Sequence, residues 1–302
     1  MKNKELTTMT TMTIEQIGKL LQEVLVPRAI KIIQGECHDL TIINKVGYDG
    51  VKADLTTNGD MKAQAMYMHE LSTLFPNFGI IAEENGVSTE GVSPDGDDVY
   101  FTVDPLDGTK AYERGSSQGV GTMIALCKNE RVITACIGDA NTGDTYGFAG
   151  DEERGDVIHQ RFGIVKTLKP KTDKPLSMQY VLLRNMPNKQ PALIQRLTED
   201  MANGGIFKDA EVGGGSIGVA FARIWKGEVG AMVLESGFDT PWDLAPIIGI
   251  SRRLGFKFYQ VIGDGLVEYE PVPVKKVTER PYVQLVIHES HAKELEEWLM
   301  KK

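Results

Sequence analysis

Apolar residues near the start of the chain follow helical spacing. Over residues 17–25 they recur every three or four positions, which is typical of an amphipathic helix with one face packed inward. Thr13 and Gln16 precede this pattern and predict a capping box, in which each side chain bonds the other residue's backbone N–H. Pro27 is expected to bend or restart the helix. A second helix is predicted at about residues 60–74.

Short apolar runs between polar, glycine-bearing stretches predict strands in the rest of the first half. The runs occupy residues 79–82, 99–103, 120–127, 132–138 and 145–149. A short polar stretch separates the third and fourth runs, so these two are expected to pair as a hairpin. The polar stretches 48–59 and 85–98 are expected to be loops, the first of them mobile.

In the second half, predicted strands alternate with predicted helices. The strands lie at 180–183, 229–234 and 282–287, and the helices at 191–202, 216–227, 242–253 and 292–299. A lysine- and proline-rich stretch at 166–175 indicates a linker, which divides the chain into an N-terminal α+β unit, residues 1–168, and a C-terminal α/β unit, residues 169–302. Together with the hairpin of the first half, this order predicts a mixed α/β (α+β) protein built in layers.

The amino-acid composition limits the binding partners and the cell compartment that are expected for this chain. The 302-residue chain has a formal net charge of −9, which argues against a nucleic-acid polymer as partner because such binding needs basic surfaces. Its three cysteines have no metal-binding spacing and are expected to be free thiols in a reducing compartment. There is no signal-peptide core, and no apolar run approaches the roughly 20 residues that span a bilayer. We therefore expect a cytoplasmic protein without a membrane partner.

The sequence Asp104-Pro105-Leu106-Asp107-Gly108-Thr109 directly follows the strand predicted at 99–103. Its proline fixes one backbone angle and its glycine permits a sharp bend, so the oxygens of both aspartates and of the threonine can converge. Hard divalent cations prefer carboxylate and carbonyl oxygens as ligands. The alternative is an ordinary strand-to-turn signal, since Asp-Pro and Asp-Gly are common in loops.

Further acidic residues lie at element boundaries. Asp60 precedes the second predicted helix, and Asp243 lies at the start of a later one. Glu83 and Glu84 follow the strand at 79–82. Each has an ordinary explanation: the aspartates can complement a helix dipole, and the glutamates can be solvated loop charges.

Together these elements resemble the inositol monophosphatase family, the magnesium-dependent, lithium-sensitive phosphatases. Residues 104–109 match the family's central DPxDGT signature, and Trp242-Asp243-Leu244-Ala245 matches its second signature. Glu83 matches the first Glu of the family's Glu-Glu element, and Asp60 the acid of its upstream loop. The matches fall in the family's order between about residues 54 and 250. The resemblance implies a layered αβαβα sandwich and a homodimer.

The resemblance also implies roles at the site. The metal ligands would be Glu83, Asp104, the carbonyl of Leu106, Asp107 and Asp243, with Asp60 at a looser position. They would hold two or three Mg²⁺ ions, for which Mn²⁺ is expected to substitute. Thr109, paired with Glu83 or Asp60, would position and deprotonate a water that attacks phosphorus in line. Substrate contacts would come from Asp107, Gly108, Thr109, Gly215, Ser216, Glu235 and Asp243.

The sequence leaves several candidates for the small anionic phosphate ester that would be the substrate. Glu235 suits hydrogen bonding to polyol hydroxyls, which favours inositol monophosphate or a similar polyol or sugar phosphate. Lys110 resembles the phosphoadenosine phosphatase branch, a 3'(2'),5'-bisphosphate nucleotidase, but Val219 stands where that branch usually has a Lys. Residues 244–248 resemble the histidinol-phosphatase-like members. Pro246 departs from the family's small residue there, so that helix is expected to bend or begin late.

Two functions of other classes fit less well. A non-catalytic phosphate-binding regulator on the same fold would be expected to lack a metal ligand or Thr109, and all are present. A two-metal nuclease would need a basic groove, which the net charge of −9 does not support.

Overall fold

The computed structural model describes residues 12–47, 50, 54–91, 95–150 and 155–301. Parts of the loops predicted at 48–59 and 85–98 therefore lie outside the described residues. Within the described ranges, no helix is both long and apolar enough to cross a membrane.

The described residues form a series of helices and short strands. The α-helices are α1 (Ile14–Leu20), α2 (Val26–Glu36), α3 (Asn58–Leu74), α4 (Thr109–Glu113), α5 (Ala192–Leu197), α6 (Ile217–Trp225), α7 (Pro241–Arg253) and α8 (Ala292–Leu299). The strands of the first half are β1 (Ile42–Lys45), β2 (Asp54–Thr57), β3 (Gly79–Ala82), β4 (Ser88–Thr89), β5 (Val99–Asp107), β6 (Gly121–Lys128), β7 (Arg131–Asp139), β8 (Thr145–Ala149), β9 (Ile158–Arg161) and β10 (Ile164–Thr167). Those of the second half are β11 (Tyr180–Leu183), β12 (Asp209–Val212), β13 (Ala231–Leu234), β14 (Gly237–Asp239), β15 (Phe256–Ile262), β16 (Gly265–Tyr269), β17 (Thr278–Arg280) and β18 (Gln284–His288).

Helix α1 begins where the sequence predicts. The Thr13 hydroxyl accepts the Gln16 N–H at 3.2 Å, and Gln16 Oε1 accepts the Thr13 N–H at 2.8 Å, so the capping box is confirmed. One wider π-helical turn, Leu21–Leu25, follows before α2 begins. Pro27 lies in the first turn of α2, directly after this π-helical turn, and the backbone stays helical on both sides of it.

The larger sheet has the strand order β10–β9–β8–β7–β6–β5–β3–β4. Strands β6 and β7 form the predicted hairpin, and its turn uses two left-handed residues, Asn129 (φ 48°) and Glu130 (φ 63°). Strands β3 and β5 are parallel neighbours, and the Glu83 N–H donates to the Val103 carbonyl at 3.1 Å. Their carboxyl ends therefore meet at one edge, which brings Glu83 close to Asp104.

The smaller sheet has the order β12–β11–β13–β18–β15–β16. Its strand β11 is parallel to both β12 and β13, whereas β18 is antiparallel to β13 and β15. A separate pair, β14 and β17, stands beside this sheet.

The helices and sheets stack in five layers. Helices α1–α3 cover the outer face of the larger sheet, where Tyr67 and Phe101 share a buried cluster. Helices α5 and α8 cover the outer face of the smaller sheet, with Leu193 and Leu295 in its core. Helices α6 and α7 fill the space between the sheets. The predicted mixed α/β class and αβαβα layering are confirmed.

The middle layer draws its core from both predicted units. Phe221 of α6 and Ile248 of α7 belong to one buried cluster with Ile137 of the larger sheet and Met232 of the smaller one. Burial of this apolar area stabilises the contact between the two sheets. The boundary near residue 168 therefore separates two halves that share a core.

Several predicted boundaries differ from the structure. In the stretch expected to be a loop at 48–59, β2 occupies Asp54–Thr57 and pairs with β1, and α3 begins at Asn58. The prediction of a loop was wrong there, because polar strands in a two-stranded pair show no apolar run. Strand β5 continues to Asp107, past the predicted end at 103, with an irregular pairing to β6. Helix α5 ends at Leu197, before the predicted end at 202.

The helix after residue 240 does not begin late. Helix α7 begins at Pro241, which suits the first helical turn, and Pro246 lies inside the helix. Strands β1, β4, β9, β10, β12 and β14–β17 lie outside the predicted elements, and β4 lies within the stretch 85–98 that was expected to be a loop. Strand β10 is exposed along its whole length and ends inside the stretch taken as a linker. Strand β15 does carry apolar residues, a signal from which it could have been predicted.

Candidate active site

A cavity of about 720 Å³ is lined by residues of both halves of the chain. The predicted site residues along its wall are Glu83, Asp104, Leu106, Asp107, Gly108, Thr109, Gly215 and Asp243. The predicted residues Asp60, Ser216 and Glu235 lie outside this lining. The structure therefore brings most of the predicted site into one cleft.

Three aspartates form the centre of the cleft. Asp104, Asp107 and Asp243 each present a carboxylate oxygen, and these oxygens lie within 4.8 Å of one another. In the described part of the chain, Asp104 Oδ1 is buried and has no hydrogen-bond partner. A buried acceptor without a partner is costly, and a group of oxygen ligands suits a hard cation. The donor set therefore fits Mg²⁺.

Burial raises the pKa of the carboxyl groups at this centre. The pKa of Asp104 lies well above its ordinary value, first because of burial and then because of neighbouring carboxylates. Burial raises the pKa of Glu83 to about 8, although Lys45 opposes the shift. Burial and the charge of Asp107 raise the pKa of Asp243 to about 6. Removing this repulsion requires protons or a bound cation.

Asp107 is held by the N-terminus of α6. The Ser216 hydroxyl and the Gly218 N–H donate to Asp107 Oδ2 at 2.5 and 2.8 Å, and the Ile217 N–H donates to Oδ1 at 3.1 Å. The approach is close because Gly108 has no side chain: a Cβ there would lie 2.6 Å from Ser216 N, and its φ of +90° favours glycine. These bonds join a residue of the first half to a helix of the second.

Asp243 reaches the cleft from the first turn of α7. Pro241 precedes it at the start of the helix, and the Thr240 hydroxyl donates to Asp243 Oδ2 at 2.7 Å. This bond orients the carboxylate toward Asp104 and Asp107. The helix start that the sequence predicted near residue 242 therefore delivers its acid to the cluster.

Lys45 of β1 joins the two glutamates at the end of β3. Its Nζ lies 3.0 Å from Glu83 Oε1 and 2.7 Å from Glu84 Oε1. Glu84 is buried behind the cleft, where its N–H donates to Gln64 Oε1 at 2.9 Å. Glu83, the predicted candidate, lines the cleft, and Glu84 does not. Sequence reasoning missed Lys45, which lies between Ile42-Ile43 and the polar stretch 48–59 and belongs to no motif.

Thr109 is paired with Asp60. Its hydroxyl lies 3.2 Å from both Asp60 Oδ1 and the Leu106 carbonyl oxygen. Asp60 is fully buried, and its Oδ2 accepts the Thr57 N–H at 2.8 Å as part of the α3 capping box. Burial raises the pKa of Asp60 to about 6. Of the two predicted partners of Thr109, the geometry favours Asp60.

Among the described residues, three cationic side chains also line the cleft. Arg184 follows β11, and its Nη2 donates to the Gly215 carbonyl oxygen at 2.6 Å. Lys110 and Arg114 lie at the two ends of α4. Sequence reasoning missed Arg184, although its position directly after the strand predicted at 180–183 was a usable signal, because ligand sites collect at the carboxyl ends of parallel strands.

Glu235 lies beside the cleft, at the end of β13. Its carboxylate accepts from Gln190 Nε2 at 2.7 Å and from Asn185 Nδ2 at 3.2 Å. Its acceptor positions are thus partly occupied by amides of the protein, and its predicted contact with a polyol stays a prediction.

Solved structures share the fold of this chain. An IMPase/NADP phosphatase complexed with Mg²⁺ and phosphate aligns with a TM-score of 0.68 at 18% identity, covering 96% of this chain and 97% of that one. The IMPase of Thermotoga maritima aligns with a TM-score of 0.65 at 17% identity, covering 92% and 94%. At sequence identities of 17–18%, this structural similarity establishes the fold alone.

Two relatives named Nus factor SuhB match part of the sequence. The protein of Vibrio cholerae is 31% identical over 93 residues, which are 31% of this chain and 33% of the relative. That of Xylella fastidiosa is 28% identical over 110 residues, 36% and 37% of the two chains. The match thus spans about a third of the length of each relative.

The family model of the inositol monophosphatase family matches residues 14–302, nearly the entire chain. This match agrees with the aspartate-lined cleft and with the αβαβα layers. The chain belongs to the inositol monophosphatase family.

Proposed function

We propose that this protein is a magnesium-dependent phosphomonoesterase that hydrolyses a small phosphate ester. The observation that carries the proposal is the convergence of Asp104, Asp107 and Asp243 within 4.8 Å at the floor of a large cleft. Glu83 lines the same cleft and would complete the ligand set with the Leu106 carbonyl. The structural relative complexed with Mg²⁺ and phosphate supports this choice of ion and ligand.

Mg²⁺ bound by these residues would neutralise their charges and polarise a phosphoryl oxygen and a water. The chain itself supplies a route for the proton of that water. The Thr109 hydroxyl lines the cleft and can donate its own proton to Asp60 Oδ1 while it accepts one from the water. Asp60, with a pKa raised to about 6, would take up that proton and return it through Thr109 to solvent after turnover, while the leaving oxygen would take its proton from a water on the opposite side of phosphorus.

The remaining cleft residues would bind the ester. The Gly108 and Thr109 amides would contact the phosphate, and Asp107 and Asp243 would face the leaving group. We favour a polyol or sugar phosphate such as inositol monophosphate. A second candidate, a 3'(2'),5'-bisphosphate nucleotide, is favoured by Lys110 and Arg114, whose charges along the cleft suit a second anionic group.

Phosphate release from purified protein tests both candidates. We would compare inositol 1-phosphate, adenosine 3',5'-bisphosphate, histidinol phosphate and fructose 1,6-bisphosphate in Mg²⁺, in Mn²⁺ and in excess chelator. Turnover of at least one ester that is lost in chelator is expected. Equal release with and without the chelator would contradict a metal-dependent mechanism.

The competing proposal is a non-catalytic role, which is considered because two relatives carry the name Nus factor. It predicts Mg²⁺ binding without turnover of any ester in the panel. The presence of Thr109 beside the aspartates favours catalysis, since a binding protein needs no residue to activate water. We also propose a cytoplasmic homodimer, which size-exclusion chromatography with light scattering would test for its oligomeric state.

A further inference from the structure

Ser216 connects the N-terminus of α6 to the aspartate cluster. It is 1% exposed and does not line the cleft. Its hydroxyl donates to Asp107 Oδ2 at 2.5 Å and accepts the Val219 N–H at 2.9 Å. Because the hydroxyl is used inside the protein, it is poorly placed to contact a substrate.

The same helix end supplies the other donors to Asp107. An ionised carboxylate offers about four acceptor positions, and bonds from Ser216, Ile217 and Gly218 take three of them. These donors come from consecutive residues of one helix terminus, so they fix the rotation of the carboxylate as a unit. Little freedom remains for Asp107 to turn away from the other aspartates.

The turn before Ser216 is anchored on two sides. The Ser216 N–H donates to the Gly119 carbonyl oxygen at 2.7 Å. Arg184 Nη2 donates to the Gly215 carbonyl oxygen at 2.6 Å. With its backbone held by Gly119 of the first half and by the Arg184 side chain, the Ser216 hydroxyl is preorganised toward Asp107.

We propose that Ser216 is a positioning residue for the metal site, whose hydroxyl holds Asp107 in the orientation that binds a divalent cation together with Asp104 and Asp243. The inference rests on the proposed function, because it takes the aspartate cluster as a cation site. It replaces the predicted substrate contact of Ser216 with a supporting role. Partners that orient a ligand commonly change metal affinity about 10- to 100-fold when they are removed.

Helix capping alone is the competing explanation. The bond from the Val219 N–H makes Ser216 the N-cap of α6, so its loss would lower stability whatever the fate of the metal. Ser216→Gly separates the two explanations, since glycine serves as an N-cap almost as well as serine but has no hydroxyl for Asp107. Ser216→Thr keeps a hydroxyl at this position and is the conservative variant. Thr13→Ala is the control for capping, because it removes the N-cap of α1, whose Thr13 does not line the cleft.

The experiment measures the Mg²⁺ dissociation constant of the full chain by isothermal titration calorimetry, together with the unfolding temperature in chelator. Ser216→Gly is expected to weaken Mg²⁺ binding about 10- to 100-fold. Ser216→Thr should bring the affinity back toward that of the wild type. Thr13→Ala should lower the unfolding temperature and leave the Mg²⁺ affinity unchanged.

Unchanged Mg²⁺ affinity in Ser216→Gly, beside an active wild type, would overturn the inference and leave helix capping as the role of Ser216. If Ser216→Gly does not fold, Ser216→Ala gives the same comparison with the same criterion. A wild type that binds Mg²⁺ but hydrolyses no ester, with weaker binding in the variant, would contradict the proposed function and support the inference.

Discussion

Replacing Asp243 by asparagine is expected to stabilise the metal-free protein at neutral pH. Burial and Asp107 raise the pKa of Asp243 from its ordinary 3.8 to about 6. A raised carboxyl pKa means that the folded state binds a proton more tightly than the unfolded state, so stability is greatest below pH 4 and falls as the pH rises to about 6. Asparagine carries no charge and still accepts the Thr240 hydroxyl, so it removes the cost without breaking that bond.

The pKa shift of Asp243 gives the size of the effect. A shift of about two units corresponds to about 3 kcal/mol above pH 6, at about 1.36 kcal/mol per unit. Asp243 is half-buried at the open side of the cleft, where solvent screens part of the repulsion. We therefore expect a gain of about 1–3 kcal/mol in the free energy of unfolding at pH 7.5.

Urea unfolding in excess chelator measures this gain at pH 7.5 and pH 4.5. Asp243→Asn should be the more stable protein at pH 7.5, and the difference should shrink at pH 4.5. With Mg²⁺ at 100 times its dissociation constant, the wild type should gain about 2.7 kcal/mol, and the variant much less. Asp264→Asn, an exposed substitution in the turn after β15, is the matched control. It should change neither the free energy of unfolding in chelator nor the gain that Mg²⁺ gives. A variant less stable than the wild type at both pH values would refute the electrostatic argument.

Three further predictions concern turnover. Asp107→Asn should abolish phosphate release while the protein still folds, with a lower unfolding temperature in chelator because the amide nitrogen cannot accept a bond from α6 as the carboxylate oxygen does; near-normal activity at ordinary Mg²⁺ would contradict its role as a ligand. Thr109→Ala should lower kcat more than it raises KM, because the hydroxyl orients the water rather than the ester; a change confined to KM would contradict this. Lithium chloride should inhibit in a way that added substrate does not relieve, since Li⁺ is close in size to Mg²⁺ with half its charge. Equal rates in matched potassium chloride would exclude a weakly held metal position.

The parts of the fold that carry a local signal could be predicted from the sequence. Thr13 and Gln16 form the expected capping box, and the runs on either side of residues 128–131 pair as the expected hairpin. Strands β1 and β2 could not be predicted, because their stability comes from pairing with each other and not from an apolar face. Pro246 shows the same limit: the helix around it is set by packing between two sheets.

The same distinction applies to the site. Asp104, Asp107 and Asp243 were predicted because each lies in a short motif, and they meet within 4.8 Å. Lys45 and Arg184 belong to no motif, and only the tertiary structure brings Lys45 to Glu83 and Arg184 to the wall of the cleft. The bond from Ser216 to Asp107 joins residues 109 positions apart, which no local pattern reveals.

That long separation has a consequence for biosynthesis. The Asp107 carboxylate is bonded by Gly218, 111 residues later in the chain. At a synthesis rate of roughly 5–20 residues per second, α6 would leave the ribosome about 6–20 s after Asp107. In that interval the larger sheet has no cover on the face that α6 and α7 later occupy. A nascent chain stalled before residue 218 would thus expose an apolar sheet and an unsupported acidic cluster, which makes the first half a target for chaperones until the second half arrives.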